Sequence, residues 1–163
     1  YTTLFRSGGA LAAGGIATFD VPRNVVAAWT GTAVITITGK DEYGNTVVES
    51  SASGTSLAGK KAFKEITSIV SSASITGMTA GTGTVLGLPV FLAGTGDVLR
   101  EYQDGAAPTA GTVVAGVTAV QTSTTGDVRG TYTPNAAPDG AKSFQLALIA
   151  GDPSFKGNPQ FAG

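Results

Sequence analysis

The chain has 163 residues, with 10 Lys and Arg side chains against 11 Asp and Glu side chains and no His or Cys. The missing His and Cys exclude the Ser/His/Asp triad, cysteine nucleophiles and zinc sites built on imidazole or thiolate. The near-neutral charge balance argues against nucleic-acid binding, which needs a basic surface, and against a polybasic membrane anchor.

Taken in chain order, the sequence predicts one all-β domain between two extended arms. The N-terminal arm covers residues 1–22, the domain residues 23–150 and the C-terminal arm residues 151–163. The clearest element is a hairpin of residues 34–38 and 46–49, whose β-branched strands flank a loop containing Gly44 and Asn45. Further strands are predicted at residues 24–30, 62–70, 84–88, 90–93, 98–103, 112–120, 127–133 and 143–149. Turn residues recur about every 8 to 12 residues, which predicts an antiparallel β-sandwich or small barrel.

Residues 62–70 allow a second interpretation. Phe63, Ile66 and Val70 also fit one face of a short helix, because periodicity does not separate short apolar runs. The uncharged stretches 66–96 and 105–126 are long, but Gly, Ser, Thr or Pro interrupts them every few residues. Neither stretch predicts a transmembrane helix, so no membrane partner is expected.

Two glycine-rich motifs suggest nucleotide binding at first sight. Residues 54–61 (GTSLAGKK) match most of a phosphate-binding loop, but Lys61 stands where a Ser or Thr hydroxyl should ligate Mg²⁺. The flanking residues also fail to predict a buried strand followed by a helix. Residues 81–87 (GTGTVLG) have one residue too many for a dinucleotide-binding turn. No cofactor is expected.

Carboxylates are the remaining candidates for catalysis. They lie at Asp41, Glu42, Asp97, Glu101, Asp104, Asp127, Asp139 and Asp152. Two of them could hydrolyse a glycosidic bond if one were desolvated and the pair lay about 5 to 9.5 Å apart. Asp104 and Asp139 each precede a glycine, which is typical of turns. We expect structural roles, no catalytic residue and no ligated metal, although loop oxygens leave a Ca²⁺ site open.

Four segments of the chain resemble a known family. They are residues 36–45 (TITGKDEYGN), 59–69 (GKKAFKEITSI), 83–89 (GTVLGLP) and 126–134 (GDVRGTYTP). In this order they look like segments of head decoration, or cement, proteins of tailed bacteriophages. The likeness spans roughly residues 33–134 and assigns no individual contact residue.

The resemblance implies a β-rich structural protein of the virion without enzymatic activity. Such a protein would bind the outer surface of an icosahedral capsid, assembled in the host cytoplasm, and stiffen it against internal DNA pressure. Its expected partners are the major capsid protein and further copies of itself, in a dimer or trimer.

The two arms carry the residues for which we predict partner contacts. They combine apolar and basic side chains with flexible glycines, and isolated aromatic residues in such segments gain little unless they dock on a surface. The candidates are Leu4, Phe5, Arg6, Phe155, Lys156 and Phe161. Two outcomes are open: the arms dock on a neighbouring subunit, or they fold back onto their own domain.

Three other functions remain open at the level of sequence. A carbohydrate-binding or adhesion module would use aromatic rings as stacking surfaces, and the candidates are Trp29, Tyr43, Tyr102 and Tyr132. Trp29 lies in an apolar run, so a place in the core or an interface fits it better. A polysaccharide-active enzyme would need Asp97 and Glu101 to converge in a cleft. A tail or baseplate β-domain of a virion has the same composition as a head protein.

Overall fold

The structure, a computed structural model, describes residues 12–13 and 16–157. The described residues form strands joined by turns, with one 3-10 turn at Thr95–Asp97 and no α-helix. The strands are β1 (Ala12–Ala13), β2 (Ile16–Ala33), β3 (Ile35–Lys40), β4 (Thr46–Ser50), β5 (Gly54–Ala58), β6 (Phe63–Ser71), β7 (Thr76–Gly87), β8 (Val98–Gln103), β9 (Thr112–Ala115), β10 (Gly130–Thr133) and β11 (Phe144–Leu148). The predicted all-β class is confirmed.

Nine of the strands form one antiparallel sheet. Its order is β4-β3-β6-β2-β7-β10-β9, and β1 and β5 also pair with β2. The sheet curls strongly into a half-barrel, and β8 and β11 form a second, two-stranded sheet. This architecture confirms the prediction of an antiparallel β-sandwich or small barrel, and of the two it is a half-barrel with a small second sheet.

The long strand β2 organises the half-barrel. Val25, Ala27 and Trp29 are buried, whereas Val26 and Ala28 are exposed, as expected for a strand with one face on the core. The strand begins at Ile16, so residues 16–22 lie in the sheet and not in a separate arm. Pro22 does not end the strand, because it falls within a register shift between β2 and β6, where a proline is tolerated.

The predicted hairpin is confirmed as β3 and β4, which pair from Thr36 with Ser50 to Lys40 with Thr46. Residues 62–70 form most of strand β6, so the helical alternative is wrong. Along β6, Phe63, Ile66 and Ile69 are buried and Val70 is exposed. The pairing of β6 with both β2 and β3 decides the conformation of this short apolar run.

Some predicted strands are shorter or absent. Residues 112–120 and 127–133 are strands only at Thr112–Ala115 and Gly130–Thr133. The prediction for residues 90–93 is wrong, because this run is a loop whose Leu92 is fully buried. Leu92 exchanges single backbone hydrogen bonds with Arg129 and Gly116 instead of joining a ladder. The loop is apolar because Leu92 is buried in the core, although the loop forms no strand.

Two apolar clusters stabilise the fold. The larger cluster fills the half-barrel and includes the buried aromatic side chains of Phe19, Trp29 and Phe63. The smaller one joins the two sheets: Leu88, Leu92 and Tyr132 are buried against apolar side chains of both. The second sheet is therefore held to the half-barrel by its own core.

Gly39 on β3 has no room for a side chain. A Cβ at this position would overlap the carbonyl oxygen of Glu65 and lie 2.8 Å from the Phe63 ring. We expect Gly39→Ala to lower the free energy of unfolding by about 1 to 3 kcal/mol, as overpacking does, in urea denaturation. Gly54→Ala is the matched control, because a Cβ there meets no atom within 4 Å. Equal stability of the two variants would contradict the close packing of β3 on β6.

Candidate functional site

A buried arginine lies where several loops meet the half-barrel. The Arg129 side chain is 1% exposed, and its Nη1 donates a 2.8 Å hydrogen bond to Oδ2 of Asp41. Its Nε donates to the carbonyl oxygen of Leu88 at 3.0 Å, and Nη1 also donates to the carbonyl oxygen of Lys156 at 3.3 Å. One guanidinium therefore links the hairpin loop, the loop after β7 and the C-terminal segment.

Asp41 is held by the hairpin loop as well as by Arg129. Its Oδ1 accepts hydrogen bonds from the backbone amides of Tyr43 and Asn45 at 2.8 and 2.9 Å. Burial raises the pKa of Asp41, but hydrogen bonds from Arg129 and Asn45 outweigh it and hold the pKa below its usual value. Asp41 is therefore a stable anion inside the fold.

Asp127 connects the backbone of Arg129 to the start of β6. Its Oδ1 accepts from the Arg129 amide at 2.9 Å, and its Oδ2 accepts from the Ala62 amide at 3.0 Å. Burial raises the pKa of this carboxyl despite these bonds. Asp127 thus binds two chain segments that are far apart in sequence.

Tyr43 completes this group, which we call the Arg129 cluster and define as Asp41, Tyr43, Asp127 and Arg129. The guanidinium carbon of Arg129 lies 5.2 Å from the centre of the Tyr43 ring, and Nζ of Lys156 lies 5.3 Å from it. The Tyr43 hydroxyl donates to the carbonyl oxygen of Pro89. Cations at these distances are attracted by the ring face.

The four segments singled out in the sequence converge on this cluster. Asp41 and Tyr43 come from residues 36–45, the Ala62 amide from 59–69, the Leu88 and Pro89 carbonyls from 83–89, and Asp127 and Arg129 from 126–134. Hydrogen bonds and an ion pair join all four. The cluster is a fixed joint between distant parts of the chain.

A second buried polar group explains the residues that resemble a phosphate-binding loop. Most of that segment is strand β5, and the amides of Lys60 and Lys61 donate to the Glu49 carboxylate at 2.5 and 3.3 Å. Burial raises the pKa of Glu49 and lowers the pKa of Lys61, whose Nζ donates to the Thr122 carbonyl at 2.8 Å. A carboxylate stands where a phosphate would bind, so the segment cannot hold a nucleotide in this conformation.

The other carboxylates hold loops in place. Asp139 and Asp152 each accept a hydrogen bond from a backbone amide two residues later, as expected for turns. Asp104 has a φ of +52° in a turn, but its carboxylate accepts from the Ser143 amide, 39 residues away. Asp97 accepts from the Gly94 amide. Glu101 accepts from the Gly111 amide and the Tyr132 hydroxyl, both at 2.7 Å. Burial and the neighbouring Glu101 raise the pKa of Tyr132.

The aromatic side chains that could stack on a sugar are distributed between core and surface. Trp29 is buried and donates from Nε1 to the Gly54 carbonyl at 2.9 Å, and Tyr132 is buried between the sheets. Tyr102 is partly exposed, and Tyr43 is exposed beside two cations. Two of the four rings therefore cannot contact a ligand.

The predicted contact residues fall into two groups. Leu4, Phe5, Arg6 and Phe161 lie outside the described residues. Phe155 packs edge-on against Phe91 of its own domain, with ring centres 4.9 Å apart, and remains 37% exposed. Lys156 contacts Tyr43 as described above. At these two positions the C-terminal segment folds back onto its own domain.

Among residues 12–13 and 16–157, no group of three or more acidic side chains is placed to hold a metal ion. In the same part of the chain, no helix has the length and apolar character needed to cross a membrane. No protein-family model, curated protein or solved structure matches the chain.

Proposed function

We propose that the protein is a structural component of a phage head, a decoration or cement protein that binds the outer surface of an icosahedral capsid. The observation that supports this is the convergence of the four segments resembling that family on the Arg129 cluster. Likeness due only to a Gly- and Thr-rich composition would be scattered over unrelated loops. Instead, these residues interlock around one buried guanidinium and so specify a particular fold.

The arrangement suits a protein that bears mechanical load. A cement protein stabilises a shell because it binds the assembled form, and many copies each add a modest contact free energy. The Arg129 cluster ties the hairpin loop, the loop after β7 and the C-terminal segment into one body. A load applied at one of these segments reaches the others through short, direct contacts.

The C-terminal arm has a defined point of attachment in this proposal. Phe155 and Lys156 anchor the arm to its own domain, and Gly157 adopts a φ of +84° against the Val128 carbonyl. Phe161 is four residues beyond this attachment point in the sequence. We assign contact with the capsid to Phe161 and to the N-terminal Leu4, Phe5 and Arg6.

Binding to purified capsids tests the proposal. Capsids of the phage that encodes the chain, assembled without it, are mixed with the purified protein and sedimented. We expect saturable co-sedimentation and a higher temperature of capsid disruption. Absence of co-sedimentation at micromolar protein would contradict the proposal.

Substitutions in the arms test the assigned contacts. Phe5→Ala and Phe161→Ala should each weaken capsid binding roughly 30-fold, because a buried aromatic anchor contributes about 2 kcal/mol. Val120→Ala is the control, since Val120 is 87% exposed within the domain. Co-sedimentation titrations of the three variants give the comparison. If both arm variants bind capsids as tightly as the wild-type protein, the assignment of the capsid contacts to the arms is contradicted.

A further inference from the structure

A shallow pocket of about 300 Å³ lies between strand β8 and the loop that follows it. The loop contributes Ala107, Pro108 and Ala110 to its wall. Glu101 of β8 holds the loop in place, because its Oε2 accepts a 2.7 Å hydrogen bond from the Gly111 amide. The pocket is therefore a fixed feature of the second sheet. Its volume is at the lower end of the range for small-molecule sites, about 300 to 1,000 Å³.

A register shift between β8 and β11 brings two neighbouring side chains of the pocket to the surface. Leu148 of β11 pairs with Val98 and Ala147 pairs with Arg100, so Leu99 has no partner on β11. Leu99 is 59% exposed and Arg100 is exposed too, whereas strand residues normally alternate between the two faces. An extra residue of this kind redirects side chains and is common next to functional sites.

Three polar side chains of the pocket have unused hydrogen-bonding groups. Among the described residues, no ion pair involves Arg100. Both hydrogen bonds to the Glu101 carboxylate use Oε2, which leaves Oε1 free. Oε1 of Glu101 and the Tyr102 hydroxyl are not among the buried side-chain atoms without a partner, so both reach solvent. The pocket therefore offers a guanidinium, a carboxylate oxygen and a phenol to a ligand.

The charges of the pocket favour a neutral ligand. Arg100 attracts an anion that the Glu101 carboxylate repels, and the reverse holds for a cation. A zwitterion as small as an amino acid cannot pair with both, because adjacent strand residues point to opposite sides of a sheet. Glu101 lies on the inner side, where it bonds to the buried Tyr132 hydroxyl, and Arg100 lies on the outer side.

We propose that this pocket binds one ring of a neutral carbohydrate. A sugar hydroxyl both donates and accepts hydrogen bonds, so the hydroxyls around one ring can bond the Arg100 guanidinium, the Tyr102 hydroxyl and Glu101 Oε1 together. The exposed side chain of Leu99 and the ring of Pro108 provide an apolar surface for the C–H groups of the sugar. This binding uses neither the arms nor the Arg129 cluster, so it is independent of capsid binding.

A glycan array followed by NMR titration tests the proposal. The purified protein is applied to immobilised neutral and acidic glycans, and the glycan that binds most strongly is titrated into isotope-labelled protein. We expect a neutral glycan to bind and to shift the amide signals of residues 98–102 and 107–111. Tyr102→Ala and Arg100→Met should each weaken this binding at least about tenfold, as truncation of a main contact residue does.

Lys40→Met is the matched control for Arg100→Met, because it removes an exposed cation from strand β3 and should bind the glycan like wild type. The NMR spectra of all variants check that they are folded. Inorganic phosphate and glycine betaine are titrated as an anion and a zwitterion. Absence of binding to every neutral glycan, tighter binding of an acidic glycan, phosphate or betaine, or wild-type affinity of both pocket variants would each overturn the proposal.

Discussion

Arg129→Met should lower the free energy of unfolding by about 3 to 5 kcal/mol, because removing one partner leaves the other charge buried and unpaired. The variant leaves the Asp41 carboxylate without its cation and the Leu88 carbonyl without its donor at 3.0 Å. Methionine retains most of the side-chain volume. The decrease in the free energy of unfolding is therefore due mainly to the lost polar contacts and not to a cavity. Urea denaturation at pH 7, followed by far-UV circular dichroism, measures it.

Arg100→Met provides the matched control for this effect. Arg100 is an exposed residue of β8, and substitutions at such surface positions usually change stability by less than about 0.5 kcal/mol. A loss below about 1 kcal/mol for Arg129→Met would show that the Arg129 cluster does not hold the fold together.

Asp41→Asn should show a characteristic dependence on pH. Burial raises the pKa of Asp41, but the hydrogen bonds from Arg129 and Asn45 together lower it by more. The net pKa is therefore below the usual value. The stability due to the ionised carboxylate is therefore complete above the unfolded pKa of about 3.9 and is lost as pH falls through the folded pKa. We expect the variant to be about 3 kcal/mol less stable than wild type from pH 5 to pH 7. The difference should shrink below about pH 4.

Urea midpoints of both proteins between pH 2.5 and pH 7 provide this test. Glu42→Gln, an exposed substitution in the same hairpin loop, is the control and should match wild type throughout. A difference between Asp41→Asn and wild type that is equal at pH 3 and pH 7 would contradict the role of the ionised carboxylate.

The local parts of the fold could be predicted from sequence, and the Arg129 cluster could not. The β3–β4 hairpin follows from alternating β-branched residues around a loop in which Gly44 has a φ of +81°. Arg129 and Asp41 are 88 residues apart, and no local pattern indicates that they meet. From the sequence, Asp41 and Asp127 are candidates only as carboxylates, and Arg129 stands out only as part of the segment 126–134, with nothing to indicate that it is buried or paired.

The wrong predictions arise where tertiary contacts override a local pattern. Leu92 belongs to an apolar run that resembles a strand, but the run is a loop buried against both sheets. The predicted N-terminal arm extends to residue 22, yet β2 begins at Ile16 and continues through Pro22, where its register with β6 shifts. By contrast, Lys61 was the residue that argued against a phosphate-binding loop, and in the structure it is a buried side chain that donates to the Thr122 carbonyl.

The low charge of the surface agrees with a protein that is covered by partners. Charged residues make up 13% of the chain, about half of the roughly 25% that is typical of soluble domains. Buried charges at an interface carry desolvation costs, and interface cores are depleted in them. The two arms are the segments that we expect partners to cover in this way.

A cryo-electron microscopy map of the purified virion tests the proposed function most directly. The proposal predicts half-barrel density on the outside of the capsid, bridging neighbouring subunits of the major capsid protein, with further density from the arms reaching those subunits. Density confined to the tail or baseplate, or particles that contain no copy of the chain, would contradict it.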